Sequence, residues 1–234
     1  MRSLNLVLLT LVTASSLAAQ AYNYPALQTP RIVDREYNFA AASAGNAGTS
    51  LLFQWREGMN ADWQFNADGG LAAPKGSGNT RLLLGGGLAW QWVRSTADMP
   101  FDVAATGGVG FSSGNGFTVI RVPVGAAVGH TFKLSNGSEL TPFVHPRLVL
   151  DVCPGGGGLV TPVGGSSTSQ ALTSCPPLSS STKLDVDVDV GVNYEITPQV
   201  AVRIAGMLGG TSYVGSTNAI GFSVAWTPKG LKKF

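Results

Sequence analysis

Strict alternation of apolar and polar residues between Lys183 and Ile196 constrains the fold of this chain more than any other feature. The segment reads KLDVDVDVGVNYEI, so every second residue is apolar and every residue between is charged, polar or Gly. Side chains of a β-strand point alternately to the two faces of a sheet. One face of this strand is therefore apolar, and the other carries Asp185, Asp187 and Asp189 in a row. Such a strand suits a soluble sheet with one wet face, or a transmembrane barrel with lipid outside and a polar lumen inside.

The N-terminus has the features of a secretory signal peptide. The chain begins with a basic Met-Arg pair, residues 4–17 are an apolar run, and residues 19–21 form a small-x-small cleavage site. These features predict cleavage after Ala21 and export from the cytoplasm. A transmembrane anchor is the disfavoured alternative, because the apolar run is shorter than the roughly 20 residues needed to span a bilayer.

Composition is consistent with an exported β protein. Charged residues make up 12% of the chain, whereas roughly a quarter is usual in soluble domains. Hydrophobic residues make up 44%, which is too much for a disordered chain, and the 31 glycines lack the three-residue period of collagen. The formal net charge of +2 is too small to predict a nucleic-acid partner.

The period-two pattern recurs along the chain and predicts ten strands. No segment has the 3.6-residue apolar stripe of an amphipathic helix. The first strand and the strand 80–93 have the weakest patterns, the latter because residues 82–84 are all Leu. Eight strands is the alternative count, because the first hairpin is the least certain. The predicted strands are 36–44, 49–57, 62–72, 80–93, 101–111, 117–132, 139–152, 183–196, 199–209 and 218–227.

The connections between the predicted strands fall into two alternating sets. One set is short and turn-like, and the other is longer and rich in Gly, Ser and Asn; the short connection 45–48 belongs by position to the second set. Short turns on one rim and long loops on the other are typical of outer-membrane barrels. An even strand count also places both ends of the barrel on the short-turn rim. The short set is 57–61, 95–100, 133–138 and 197–198, and the long set is 73–79, 112–116, 153–182 and 210–217.

Five tryptophans independently indicate a membrane protein. Each lies within a few residues of a predicted short turn or of the end of the last strand, so all five fall on the same rim. Aromatic rings prefer the membrane interface, where an apolar ring meets a polar edge. The alternative, core residues of a soluble sandwich, does not explain why they gather at one end of the hairpins. The predicted aromatic girdle is Trp55, Trp63, Trp90, Trp92 and Trp226.

The alternating strands, the two sets of connections and the tryptophan rim together resemble the bacterial outer-membrane β-barrel family of small porin-like proteins. The resemblance covers essentially the whole chain after the signal peptide, and it concerns architecture more than activity. It implies an antiparallel up-and-down transmembrane barrel in the cell outer membrane, surrounded by outer-membrane lipid and inserted by the barrel assembly machinery. Family members usually end on a strand that closes with an aromatic residue. Here Trp226 lies at the end of the last strand, and Pro228 and a Lys-rich stretch separate it from Phe234.

These observations divide the chain into a signal peptide 1–21, a Pro-containing lead-in 22–35, a barrel domain 36–228 and a basic tail 229–234. The longest connection, 153–182, contains both cysteines of the chain.

Cys153 and Cys175 are expected to form a disulfide, because two cysteines in one exported chain most simply pair. Closing this loop is worth about 3 kcal/mol in the chain-entropy model. The stapled loop either caps the barrel mouth and contacts a ligand, or is simply protected from proteolysis.

The inward-facing positions place charges of both signs in the predicted lumen. We expect the carboxylates of the strand 183–196 to pair with arginines of other strands, because a buried charge without a partner is costly. A calcium loop is disfavoured, because the valines between the Asp residues indicate extended strand and not the tight turn of such loops. Ten strands lined in this way imply a narrow or side-chain-filled lumen. The predicted lumen network is Asp185, Asp187, Asp189, Arg81, Arg121, Arg147 and Arg203, with Arg56 as a further candidate.

The sequence offers no group of residues that predicts catalysis. His130 and His145 are the only histidines, and neither belongs to a nucleophile–base pattern with Ser or Cys. The glycine runs 85–87 and 155–158 lack the Gly-Lys-Ser/Thr ending of a phosphate-binding loop. Two cysteines without a nearby histidine do not predict a zinc site. We therefore expect no enzyme activity, no cofactor and no bound metal.

Three functions are compatible with the sequence, which leaves the oligomeric state and the nature of any solute open. The first is a porin-like or structural outer-membrane barrel that passes small polar solutes. The second is surface adhesion or ligand binding through the loop 153–182. The third is a soluble periplasmic β-sandwich or lipocalin-like carrier, which predicts extraction without detergent.

Overall fold

The structure, a computed structural model, contains thirteen β-strands in the residues that it describes. It describes residues 24–45, 48–75, 80–114, 117–154, 182–209, 211–212, 215–216 and 218–228. The predicted signal peptide, the basic tail and most of the loop 153–182, with Cys175, lie outside these residues. The strands are β1 (Arg35–Ala44), β2 (Gly48–Gly58), β3 (Trp63–Ala73), β4 (Arg81–Val93), β5 (Asp102–Gly114), β6 (Phe117–Gly129), β7 (Phe132–Lys133), β8 (Glu139–Val152), β9 (Thr182–Thr197), β10 (Val200–Gly209), β11 (Thr211–Ser212), β12 (Gly215–Ser216) and β13 (Ala219–Trp226).

Ten of these strands form a closed antiparallel barrel. From β1 to β6 each strand pairs with the next, β6 pairs with β8, and the order continues through β9 and β10 to β13. The ring closes where β13 pairs with β1, with Tyr37 opposite Trp226. Neighbours in the wall are thus neighbours along the chain, so the predicted up-and-down barrel and its count of ten strands are confirmed. In the part of the chain that the structure describes, no helix is long and apolar enough to cross a membrane.

The predicted strand 117–132 is interrupted in the structure, which is a correction to the sequence analysis. β6 ends at Gly129, and the short β7 begins at Phe132. The interruption lies opposite Pro142 of β8, which has no N–H group to donate to the ladder. The backbone N–H of His130 still reaches the Pro142 carbonyl at 3.4 Å. A second difference is the two-stranded ribbon of β11 and β12, which lies within the connection predicted as a loop at 210–217.

The two faces of the wall have opposite polarity, and the polar face is the buried one. On β9, Leu184 is 69% exposed and Val190 54% exposed, whereas Asp187 and Asp189 are fully buried. A soluble protein buries its apolar face instead. An exposed apolar outer surface around a polar interior is the arrangement of a transmembrane barrel.

Residues 24–34, predicted only as a lead-in, lie inside the barrel and are called the lumen segment here. Leu27 is 0% exposed, Tyr24 1% and Ile32 4%. The chain descends through the lumen, and at the short-turn rim the carbonyl of Asp34 accepts a hydrogen bond from the Gly58 N–H at 2.6 Å. It then enters β1 as part of the wall. The lumen is therefore filled by a stretch of the chain in addition to wall side chains.

Candidate functional site in the barrel lumen

Apolar side chains anchor the lumen segment at two levels. Tyr24 and Leu27 belong to one buried cluster with inward-facing wall residues, and Ile32 forms another with Ala89 and Ala104. Full burial of a large apolar side chain contributes about 1.5–3 kcal/mol. The hydrophobic effect therefore holds the segment at two places. We call the cluster around Tyr24 and Leu27 the upper cluster, and the one around Ile32, nearer to the short-turn rim, the lower cluster. The wall residues of the upper cluster are Ala40, Ala42, Leu52, Ala72, Leu83, Phe143 and Ala205.

Wall side chains also satisfy the main chain of the lumen segment. Five of its main-chain groups hydrogen-bond to four wall residues, each at 2.9 Å. Gln91 is central to this arrangement, because its amide both donates to one carbonyl and accepts from one N–H group. Buried main-chain groups need such partners in the absence of water. The bonds are Ala26 N–H to Asp189, Arg56 to the Leu27 carbonyl, Gln91 to the Pro30 carbonyl, Ile32 N–H to Gln91, and Gln64 to the Val33 carbonyl.

Two glycines of the wall face the two prolines of the lumen segment. A Cβ atom at Gly129 would lie 2.9 Å from Cγ of Pro30, and one at Gly221 would lie 3.4 Å from Cδ of Pro25. The first distance is too short for a real contact, whereas the second is ordinary van der Waals packing. The segment thus approaches the wall more closely at Gly129 than at Gly221, and a side chain at Gly129 would collide with Pro30 and with the Pro142 carbonyl.

An ion pair fixes the lumen segment at the short-turn rim, and we call Arg31 and Asp102 the rim latch. Arg31 Nε lies 3.0 Å from Asp102 Oδ2. The Asp102 side chain is 2% exposed, whereas that of Arg31 is 49% exposed. The second carboxylate oxygen of Asp102 accepts the Ser95 N–H at 2.9 Å. Arg31 is therefore the residue of the segment that is most exposed to solvent.

Two buried charge clusters line the lumen around the segment. The first, called the Glu36 cluster, consists of Glu36, Arg56, Arg203 and Asn193. Arg203 holds Glu36 in a bidentate pair at 2.7 and 2.5 Å, and Arg56 contacts the same carboxylate at 2.8 Å. Asn193 accepts a hydrogen bond from Nε of Arg203 at 2.8 Å. Two arginines therefore enclose one carboxylate, with strong charge-assisted hydrogen bonds.

The second cluster, called the β9 cluster, contains Asp187, Asp189, Arg121, Arg147 and Asp151. Arg147 lies 2.8 Å from Asp189 and 3.9 Å from Asp187. Arg121 bridges Asp187 at 3.2 Å and Asp151 at 3.1 Å. Opposite charges thus alternate across β6, β8 and β9, as the register of these strands allows. Each of these side chains is buried.

The remaining predicted network residues lie elsewhere. Asp185 lies nearer to the loop rim, where it is partly exposed and 3.9 Å from Lys183. Arg81 is buried and donates to the Ser112 carbonyl at 3.1 Å. The structure therefore brings Asp187, Asp189, Arg121 and Arg147 together, while Arg203 joins the Glu36 cluster.

Sequence reasoning missed Glu36 and the whole lumen segment. Glu36 lies on the inward parity of β1, but this strand had too weak a pattern for its faces to be assigned. The signal for the segment was indirect. Leu52 and Leu83 face inward from two strands, and an apolar side chain in a polar lumen needs an apolar partner.

A small cavity remains between the segment and the wall. Its volume is about 30 Å³, and its lining includes Gln28, Asn66, Thr106, His145 and Arg147. Such a space is large enough for a water molecule and too small for an organic solute. His145 is buried, and its Nε2 lies 2.8 Å from the Thr106 hydroxyl. Among the residues that the structure describes, no group of three or more His, Cys, Asp or Glu side chains is placed to hold a metal ion.

The predicted girdle residues share the outer surface at the short-turn rim. Trp63 stacks on Trp90 with ring centroids 5.9 Å apart, and Trp90 stacks on Trp92 at 6.5 Å. Trp226 stacks on Tyr37 across the closing strand pair at 5.6 Å. The five tryptophans are between 36% and 63% exposed.

Two further predicted residues lie at opposite rims. His130 packs its ring edge-on against Phe132 at the short-turn rim, with centroids 4.4 Å apart. Cys153 is buried at the loop-rim end of β8. Because Cys175 lies outside the described residues, the disulfide stays a prediction.

Solved structures of outer-membrane barrels are similar to this chain in architecture. LpxR from Salmonella typhimurium is 10% identical, with 82% of this chain and 100% of that chain covered and a TM-score of 0.45. The KdgM porin is 6% identical, covers 82% of this chain and 99% of its own, and has a TM-score of 0.35. Neisserial surface protein A is 15% identical over 82% of this chain and 91% of its own, with a TM-score of 0.29. No family model matches the chain, and no curated protein matches it at a significant level. None of these similarities assigns an activity to this chain.

Proposed function

We propose that this protein is a porin-like barrel of the bacterial outer membrane whose lumen is closed by its own residues 24–34. Closure of the lumen is supported above all by the buried lumen segment, whose main chain is hydrogen-bonded to inward-facing wall side chains. The cavity beside the segment, with a volume of about 30 Å³, is too small for an organic solute. A structural role without transport is the alternative, and it requires that the segment never leaves.

The location in an outer membrane is supported by the outer surface of the barrel. Leu51, Leu208 and Ile220 project outward and are 60–65% exposed. The tryptophan rim lies below this apolar band, where the lipid headgroups of one leaflet begin. Together with the predicted signal peptide, these features favour export followed by insertion into the outer membrane, with lipid and the barrel assembly machinery as partners.

The rim latch is the contact of the segment that is open to solvent, because the Arg31 side chain is 49% exposed. The latch is one of several contacts at this end, because the Pro30 carbonyl, the Ile32 N–H and the Val33 carbonyl also hydrogen-bond to the wall. The apolar anchors and the main-chain hydrogen bonds keep the closed state dominant. We therefore expect a channel that is closed at rest and opens rarely.

The first test is whether the protein behaves as a membrane barrel. We expect it to require detergent for extraction and to change mobility in SDS gels between unheated and boiled samples. Extraction without detergent, together with identical mobility, would contradict the membrane proposal and favour a soluble β carrier.

The second test is conductance in planar bilayers. The wild type should be mostly closed, and Arg31→Glu should open more often because two negative charges then face each other at the rim latch. Arg35→Glu is the matched control, because Arg35 lies on the same rim but pairs with Glu57. A variant that lacks residues 24–30 should give the largest conductance. If both segment variants conduct like the wild type, the barrel has a structural role and the porin-like proposal is wrong.

A further inference from the structure

We propose that the lumen wall is a peptide-binding channel, which recognises an extended, proline-containing polypeptide and accepts such a peptide in place of the lumen segment. This inference rests on the proposed closure of the barrel by residues 24–34. In addition to closure, the wall would then bind a peptide that belongs to another molecule.

Wall side chains recognise the main chain of the segment. Four wall side chains hydrogen-bond to N–H and carbonyl groups of the segment, and every polypeptide carries such groups. The four residues are Asp189, Arg56, Gln91 and Gln64. Contacts of this kind are independent of the side chains of the ligand, as in other modes of extended-peptide recognition. Three of the four residues come from the adjacent strands β2, β3 and β4, and Asp189 comes from β9 on the opposite side of the ring, so the main chain is contacted from two sides of the lumen.

Selective contacts define the class of peptide. The upper apolar cluster receives Tyr24 and Leu27, and the lower one receives Ile32. Gly221 and Gly129 leave room for prolines five positions apart. Prolines favour the extended conformation and lower the entropy lost on binding. The ligand is therefore a peptide of about ten residues with an aromatic residue first, two such prolines, an aliphatic residue near the end and a basic residue at the rim.

A bend at Leu27 adds conformational selectivity. Leu27 has a φ of +52°, a left-handed conformation that is rare for residues other than Gly. Arg56 binds the carbonyl of this residue at 2.9 Å. The wall thus stabilises one kinked backbone, and a peptide that cannot bend at its fourth position does not fit.

The experiment uses the folded, full-length protein with a protease site inserted between Val33 and Asp34. The segment folds in place, is then cleaved, and remains attached only through the contacts described above. A fluorescent peptide with the sequence of residues 24–33 is added, and its binding is followed by anisotropy in detergent. We expect the peptide to exchange with the cleaved segment and to bind saturably.

Matched peptides and wall variants make this test specific. A peptide with Ala26→Pro lacks the N–H group that donates a hydrogen bond to Asp189. We expect about tenfold weaker binding from the loss of this one charge-assisted hydrogen bond. A scrambled peptide of the same composition should not bind. The variant Gln91→Leu in the barrel should weaken binding of the native-sequence peptide by more than this factor, because it removes two main-chain contacts.

The outcomes separate this inference from the proposed function. Saturable binding that is reduced by Ala26→Pro and Gln91→Leu supports a peptide channel. If the cleaved barrel conducts after the segment is washed away but binds no peptide, the segment closes the pore and recognition of a second polypeptide is wrong. Equal binding of the scrambled peptide would also overturn the inference, because it would show non-specific trapping.

Discussion

Glu36 and Asp189 are two buried carboxylates of the same lumen that are satisfied in different ways. Glu36 is enclosed by Arg56 and Arg203, which both belong to the wall. Asp189 is shared between Arg147 of the wall and the Ala26 N–H of the lumen segment. The Glu36 carboxylate is thus satisfied by the wall alone, although its partner Arg56 also donates to the Leu27 carbonyl, whereas the Asp189 carboxylate bonds to the segment directly. The Glu36 cluster therefore stabilises the barrel, whereas Asp189 links the stability of the barrel to closure of the lumen by the segment.

The largest effect is expected from Glu36→Ala. The substitution leaves two buried arginines without their shared carboxylate, and removal of one partner of a buried pair costs about 3–5 kcal/mol. The free energy of unfolding, measured by urea titration in detergent with tryptophan fluorescence, should fall by this amount. Glu57→Ala is the control, since the Arg35–Glu57 pair is partly exposed and worth about 1 kcal/mol or less. Equal losses in the two variants would show that the Glu36 cluster is not the stabilising centre of the wall.

Asp189→Ala is expected to cost less, about 2–3 kcal/mol, because Asp187 remains 3.9 Å from Arg147 and compensates part of its charge. Unlike Glu36→Ala, it also removes the acceptor of the Ala26 N–H. We therefore expect more frequent openings in planar bilayers in addition to the loss of stability. If Glu36→Ala opens the channel as often as Asp189→Ala does, then closure depends on barrel stability in general and the distinction between the two carboxylates fails.

A third effect compares two glycines that face the segment. In Gly129→Ala the new Cβ would lie 2.5 Å from the Pro142 carbonyl oxygen and 2.9 Å from Pro30, so the wall or the segment must shift. Overpacking of this kind costs about 1–3 kcal/mol. In Gly221→Ala the nearest atom of the segment is 3.4 Å away, and we expect little or no loss. Thermal midpoints of the heat-dependent mobility shift should therefore fall for Gly129→Ala and stay near the wild-type value for Gly221→Ala. A reversed order would contradict the close packing at Gly129, where the Pro142 carbonyl and Pro30 both limit the space.

The barrel was predictable from the sequence because its signal is local. A period of two assigns each residue of a strand to one face, so the inward positions of Arg121, Arg147 and Asp187 follow from their neighbours along the chain. The ten strands follow from the same rule, and the break after Gly129 does not, because its cause is Pro142 on a different strand. Long-range pairing thus limits even the local prediction.

The lumen segment was not predictable in this way. Residues 24–34 have no periodicity, and their place in the barrel depends on contacts with strands far along the chain, such as that between Ala26 and Asp189, 163 positions apart. The same holds for the pairing of Glu36 with Arg203, 167 positions apart. The sequence shows which charges face the lumen, whereas the choice of partners is decided by the closed ring.

The smallest effect is expected at Asp185, although it belongs to the same run of carboxylates as Asp187. Asp185 lies 3.9 Å from Lys183, whose side chain is 34% exposed, so water screens the pair and Asp185→Ala should change the free energy of unfolding by about 1 kcal/mol or less. Asp187→Ala should cost several times more, because Arg121 and Arg147 are both buried beside it. Urea titration of the two variants under identical conditions measures this difference. Equal losses would show that depth in the lumen does not determine the contribution of a charge, and would remove the basis on which the β9 cluster is distinguished from the rest of the strand.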